Sequence, residues 1–169
     1  YIATVSEDKT TVIWEIVYTR SQAAIDFRKV VTLRVHSMAV TCIDWRHTVS
    51  GAVLATISDD RKICIYRTDT VPDVQTAPTA TRLEWHVDGE ARGLEIEELG
   101  ILTLQEFGYM LTFMRLQPEE TELENGVPRY RNHLLSVASE DGFLYLVDIS
   151  RLSDAPVVSK RKIHLASIE

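Results

Sequence analysis

"LATISDDRKICIYRT", residues 54 to 68, has a near twin in "IATVSEDKTTVIWEI" at residues 2 to 16 and a third version in "LLSVASEDGFLYLVD" at residues 134 to 148. In every copy a serine is followed two residues later by an aspartate: Ser6 and Asp8, Ser58 and Asp60, Ser139 and Asp141. Such self-similarity marks a repeat protein, in which each unit buries its apolar surface against its neighbours. Ser6 and Ser58 are 52 residues apart, and Ser58 and Ser139 are 81 apart. The first interval fits one unit with a longer loop at 18 to 26. The second fits two units of about 40 residues, or one unit and an insertion.

The second copy is the most complete, "RVHSMAVTCIDWRHTVSGAVLATISDDRKICIYRTD" at residues 34 to 69. Short runs rich in β-formers, from Val40, from Val53 to Ile57 and from Ile63 to Tyr66, read as strands of about five or six residues. Between them, "TVSG" at 48 to 51 and "SDDR" at 58 to 61 have turn chemistry, because an Asp side chain can bond its own downstream backbone. Upstream, "FRKVVTLRV" at 27 to 35 is a further alternating strand that delivers the chain to His36. Four short antiparallel strands per unit follow, and stacking such sheets face to face gives the period of a propeller blade.

These residues resemble the WD-repeat β-propeller family. A blade of that family carries a His in the loop entering its first strand, a Ser or Thr on the second strand, an Asp in the turn after it and a Trp on the third strand. The resemblance places His36, Ser58, Asp60 and Tyr66 at those positions in the second copy, with Tyr66 where Trp is usual. It places Ser6, Asp8 and Trp14 in the first copy, whose His would precede residue 1. Ser139, Asp141 and Val147 fall there in the third, with Phe107 or Gly108 near the expected His. Three aligned copies cover roughly two thirds of the chain, which is more specific than any one alone. The implied chemistry is a buried polar relay, with aspartate accepting from histidine, histidine from serine, and serine from the aromatic residue. His36, Ser58 and Asp60 have the residue types of a catalytic triad, but a serine turned toward an aromatic neighbour inside a sheet is structural.

The fold class expected is all-β: propeller blades of four antiparallel strands, three or four of them present, forming a partial propeller. The chain divides into a blade remnant at 1–35, a blade at 36–88, a degenerate blade or insertion at 89–107, a blade at 108–160 and the start of a next strand at 161–169. "RLEWHV" at 82 to 87 reads as a strand. "EARGLEIEELGILTLQEF" at 90 to 107 reads as degenerate strands or a short amphipathic helix, with strands favoured because glycine weakens a helix by about 1 kcal/mol. An unclosed stack would leave a wide apolar face in water, so the sequence reads as a segment of a longer protein or as one completed by another subunit.

Composition narrows the function. A chain of 169 residues, 45% hydrophobic and 25% charged, has a globular composition. A net charge of −7 opposes phosphate tracking, so nucleic acid is not expected as a partner, although "SKRKIH" at 159 to 164 is a local basic run that reads as a solvated edge. Cys42 and Cys64 sit in apolar stretches without metal-ligand spacing and read as buried thiols. His47, His86, His133 and His164 lack ligand spacing, and Glu95, Glu97 and Glu98 read as a solvated face. No sequon and no apolar run of about 20 residues is present, so no membrane span is expected, and the expectation is an intracellular, cytoplasmic or nuclear protein.

No nucleophile with its base, phosphate loop or metal pattern stands out, so neither enzyme activity nor a cofactor is expected. The class expected is a protein–protein interaction scaffold within a multi-subunit complex, the alternative being a stand-alone peptide-reading or substrate-receptor module. Partners would be other proteins, either subunits or peptides, with basic ones favoured by the charge. The family's commonly used face is formed by the loops beside the tetrad, and by position these contain Glu7, Lys9, Ser37, Met38, Asp59, Arg61 and Glu140. The W-D-x-R signature of the family's ligase adaptors is absent: Glu15, Ile16 and Val17 follow Trp14, and Ile149 and Ser150 follow Asp148.

Overall fold

A computed structural model describes residues 1–19, 24–48, 51–70, 94–114, 123–124, 127–128, 134–153 and 156–163. All the regular elements described are strands, apart from one short 3-10 turn, in keeping with the β-formers that fill them. The first sheet joins β1 (Ile2–Val5), β2 (Thr11–Thr19) and β3 (Ala24–Leu33) in that order. The second joins β4 (Val40–Thr48), β5 (Gly51–Ser58), β6 (Lys62–Thr70) and β7 (Leu94–Thr103), again in sequence order. The third begins with β8 (Gly108–Phe113). A two-stranded ribbon of β9 (Leu123–Glu124) and β10 (Val127–Pro128) intervenes. The third sheet is then completed by β11 (Leu134–Ser139), β12 (Phe143–Asp148) and β13 (Val157–Lys162). Every pairing is antiparallel, which makes two four-stranded blades and one three-stranded one: a partial propeller.

Alternation along the strands sets how the sheets stack. On β5, Leu54 turns toward the first sheet and joins Ile13, Val31 and Leu33, while Ala55 and Ile57 turn the other way and join Leu111, Leu135 and Val137 of the third. The second sheet is thus buried on both faces, which explains its unbroken run of buried positions from Ala52 to Ser58. The first strands β4 and β8 lie side by side. Asp44 on β4 accepts from the Phe113 backbone N–H at 2.7 Å and the Thr112 hydroxyl at 2.9 Å on β8.

The stretch 94–103, read above as part of a degenerate blade or insertion, is one strand that pairs along the whole of β6 and serves as the fourth strand of the second blade. Its weak apolar alternation disguised it. Gly100 is small there because a Cβ would meet Leu152 at 3.3 Å. Lys162, placed above in the start of a next strand, is the last residue of β13, the fourth strand of the third blade. The strand expected at 82–87 lies outside the described residues, as do His86, His133 and His164.

Outward faces of the first and third sheets carry exposed apolar residues. Ile2, Ile16 and Phe27 are exposed on the first, Phe27 at 55%. Met110 is exposed at 61% on the third, on the face opposite Leu111.

Candidate functional site

Three tight turns with one geometry join β1 to β2, β5 to β6 and β11 to β12. In each, the backbone N–H of the last turn residue returns to the serine carbonyl: Lys9 to Ser6 at 3.2 Å, Arg61 to Ser58 at 3.0 Å and Gly142 to Ser139 at 3.0 Å. Those three residues have φ of 73°, 64° and 77°, so the same left-handed position is filled once by glycine and twice by a long basic residue. The serine hydroxyls serve this turn. Ser58 Oγ accepts from the Asp60 N–H at 3.1 Å and donates to the Met38 carbonyl at 3.2 Å, and Ser6 Oγ accepts from the Asp8 N–H at 3.2 Å. In the third turn the Ser139 hydroxyl contacts the Asp141 carboxylate.

The histidine therefore finds a different hydroxyl from the one expected. His36 Nε2 lies 2.9 Å from Thr56 Oγ1, and its Nδ1 lies 3.2 Å from both carboxylate oxygens of Asp60. Ser58 is not in the relay. It sits at the end of β5, opposite Val40, where its hydroxyl is spent on the turn, while Thr56 two residues earlier lies deeper on the same face. Because the carboxylate can only accept, Nδ1 carries the proton and Nε2 accepts from the threonine O–H. Tyr66 meets the Thr56 and Cys64 side chains at the far end, so the relay runs Asp60, His36, Thr56, Tyr66.

The first copy repeats this with Trp14, whose indole N–H donates to Thr4 Oγ1 at 3.0 Å. A signal for the threonine was present: T-x-S-x-D occurs at Thr4, Ser6, Asp8 and again at Thr56, Ser58, Asp60. The third copy has Val137 at the Thr56 position and Val147 at the Tyr66 position. The Glu140 N–H reaches the Phe107 carbonyl as the Asp59 N–H reaches that of Ala39, which aligns Leu104, rather than Phe107 or Gly108, with His36. Leu104, Val137 and Val147 are all buried, so this blade replaces the polar relay with an apolar trio. That exchange is neutral or favourable only when the whole network goes at once.

Electrostatics agree with a sealed, structural network. Burial pulls the His36 pKa below its usual value despite the neighbouring carboxylate, which keeps the ring neutral. Burial also raises the Asp60 carboxyl, but hydrogen bonds from the backbone of Ser37 and Lys62 and from His36 outweigh it and hold the pKa low. Burial pushes the Cys64 thiol up to about 12, so it is not a nucleophile at neutral pH. Among the described residues no group of three or more His, Cys, Asp and Glu side chains is placed to hold a metal, and no helix is long and apolar enough to cross a membrane.

Outside the relay, the turn tips reach solvent. Glu7, Lys9, Ser37, Met38 and Arg61 are exposed, and Asp59 and Glu140 are half-buried. Ser37 and Arg61 are partly committed: the Ser37 N–H donates to Asp60 at 2.9 Å, and the Arg61 guanidinium donates to the Gln105 carbonyl at 3.2 Å. Exposed Phe107, named above only as near the expected His of the third copy, and exposed Tyr109, not singled out from sequence, stand beside these tips. Tyr109 is hydrogen-bonded to Glu140 and feels Asp59, and partial burial together with these carboxylates raises its pKa. Turns of the second and third blades therefore converge on one acidic, aromatic patch.

Antiparallel sheets stacked face to face, joined by turns over an Asp–His–Thr–aromatic relay, define a β-propeller built of WD repeats. The family model described as "WD domain, G-beta repeat" matches residues 27–67, and the chain is similar to WD-repeat β-propellers in sequence there and in fold throughout the described residues. A stretch of 66 residues, 39% of the chain, is 42% identical to the protein transport protein sec13 of Aspergillus oryzae, and spans 20% of that relative. The solved structure of Sqt1 from Saccharomyces cerevisiae is similar in fold at 13% identity, with a TM-score of 0.57 over 96% of this chain and 35% of that one. The WD40 domain of coronin from Toxoplasma gondii is similar at 19% identity, with a TM-score of 0.61 over 99% of this chain and 32% of that one. The chain thus spans about a third of each solved structure and a fifth of the curated relative.

Proposed function

We propose that this chain is a non-enzymatic interaction scaffold within a multi-subunit complex, and that it receives other proteins on the face formed by its turns. The observation that carries this reading is the convergence of Asp59, Tyr109 and Glu140 from two adjacent blades, beside exposed Met38 and Phe107. Rigid turns present these side chains with little entropy to lose on binding. An aromatic and methionine surface adapts to a partner, while the carboxylates steer basic segments toward it. A stretch of the chain is similar to a protein transport protein, which fits a role among other proteins.

The test is affinity purification of the full-length protein with its partners, followed by association kinetics of the main partner in a salt series. Reversing both charges, Asp59→Lys with Glu140→Lys, should slow association several-fold and flatten its salt dependence, with thermal stability nearly unchanged. An unchanged on-rate would move the binding site elsewhere. Exposed Tyr109 and Phe107 favour one second reading, a self-standing module that reads basic peptides. Such a module would run as a folded monomer without partners, whereas a co-assembled subunit would be soluble only with them.

A further inference from the structure

The basic run at 159 to 164 lies mostly in β13, whose register gives its lysines a definite place. Lys162 pairs with Phe143 and Lys160 with Tyr145, and both rings pack into the core between the second and third blades. These side chains therefore lie between two described sheets, on the side of the third blade turned toward the second. Lys160 Nζ stands 4.3 Å from the Phe143 ring centre and 5.0 Å from that of Tyr145, and Lys162 Nζ stands 5.5 Å from that of Phe143. Lys160 also donates to Gln105 Oε1 at 3.3 Å, in the link between β7 and β8. Neither ammonium forms an ion pair among the described residues, and Asp141 and Glu106 act on Lys160 only at longer range. Beside them the hydroxyl of Tyr145, a residue 5% exposed, is buried with no hydrogen-bond partner. Lysine on an outer strand ordinarily does no more than discourage edge pairing. A buried phenol facing an ammonium is different, because an ammonium cannot accept and the phenol O–H is left without an acceptor.

We propose that Lys160, Lys162 and Tyr145 form a binding site for a phosphate monoester carried on a side chain of a partner protein. Three donors from two adjacent strands gather around one aromatic ring. The three terminal oxygens of a phosphate accept from all of them at once, whereas a carboxylate offers two. Its charge of about −1.5 to −2 matches two ammoniums and outweighs the more distant Asp141 and Glu106. Lys160 swings off the Tyr145 hydroxyl to admit the phosphate, giving up only its contact with the neutral Gln105 amide. Both lysines are exposed, so the phosphate is gripped from one side. That suits a group presented by a protein, since a free small molecule relies on enclosure of most of its surface. Phe143 and Lys162 pair at the turn end of the blade, with Val157 at the far end of β13, so the partner meets the site at the rim beside the third turn.

The experiment titrates the full-length protein into a fluorescein-labelled neutral peptide carrying one phosphoserine, read by anisotropy. The same peptide with plain serine is the control, and inorganic phosphate is the competitor. Saturable binding is expected, about tenfold weaker for the serine peptide and for Lys162→Gln, and about fivefold weaker for Tyr145→Phe. Tyr145→Phe removes the hydroxyl and keeps the ring, so the thermal midpoint should hold or rise while binding falls, which a merely structural role would not produce. Absence of saturable binding overturns the proposal, as does equal binding of the two peptides or unchanged binding by Tyr145→Phe. So does displacement by inorganic phosphate at the peptide's own concentration, which would assign the site to a free anion. Loss of binding in Asp59→Lys with Glu140→Lys but not in Lys162→Gln would place the peptide on the turn face and likewise overturn it. Failure here leaves the turn-face reading standing, since the two sites share no residue.

Discussion

His36 Nε2 and Thr56 Oγ1 lie 2.9 Å apart, both buried, and this contact ties the loop entering the second blade to the middle of its second strand. Replacing Thr56 with Val keeps the shape and removes the hydroxyl, leaving the imidazole nitrogen without a donor. Thr56→Val is expected to destabilise the chain by about 1–3 kcal/mol, and Thr56→Ser by less than about 1 kcal/mol. Urea unfolding of both variants checks this, with Ser58→Ala as the comparison that tests the turn and not the relay.

The relay also predicts a pH dependence. His36 has a folded pKa below its ordinary 6.5, so the unfolded chain binds the proton more readily, and stability is full above about 6.5 and lost as pH falls below it. Asp60, also lowered, adds a second loss below its ordinary 3.8. Thermal melts from pH 8 to pH 5 should show a falling midpoint whose slope is reduced by His36→Gln. A midpoint that rises on acidification would show that His36 is charged in the folded state.

Gly108 opens β8 where a Cβ would stand 2.0 Å from Ile57 Cδ1 and 3.1 Å from Leu104 Cδ1, both in the core between the second and third blades. Ile57 is wholly buried. Gly108→Ala should therefore cost about 1–3 kcal/mol through overpacking. A measured loss near zero would mean that the two blades are loosely docked.

Arg61 holds φ at 64° where the third turn has Gly142. A side chain in that region costs about 1–2 kcal/mol, partly recovered by replacing it with glycine, which is freer in the unfolded chain. Arg61→Gly should raise stability by up to about 1 kcal/mol by chemical denaturation. The Arg61 contact with the Gln105 carbonyl is exposed and subtracts little.

The blades were legible in the sequence because strand alternation and turn chemistry are local: S-x-D and the apolar runs around it specify a hairpin without reference to the rest of the chain. His36 and Asp60 were reached through the resemblance to the WD-repeat family, which places them by position. Ser58 was placed in the relay and Thr56 missed because both lie on one face of β5, and only depth along the strand separates a turn cap from a relay member. Leu104 was invisible as the counterpart of His36, since an apolar replacement removes the very residue type that marks the position. β7 was obscured by its own composition, as an outermost strand rich in Glu95, Glu97 and Glu98 has one side facing water and needs no strict alternation. Tyr109 and Phe107 reached the turn face through a contact between two blades, which no single repeat encodes.

The most direct test of the central claim, that the turn face is where partners bind, is site-specific photo-crosslinking of the full-length protein in its native cell. A photoreactive residue would be placed at Met38 on the turn face, and separately at Val157 on the outermost strand β13. Both sites are exposed, at 48% and 40%, so neither replacement disturbs the core. The account predicts crosslinked partners from position 38 that are reduced by Asp59→Lys with Glu140→Lys, and few or none from position 157. Crosslinks from position 157 alone, unaffected by those charge reversals, would contradict it and place the binding surface on the blade edges.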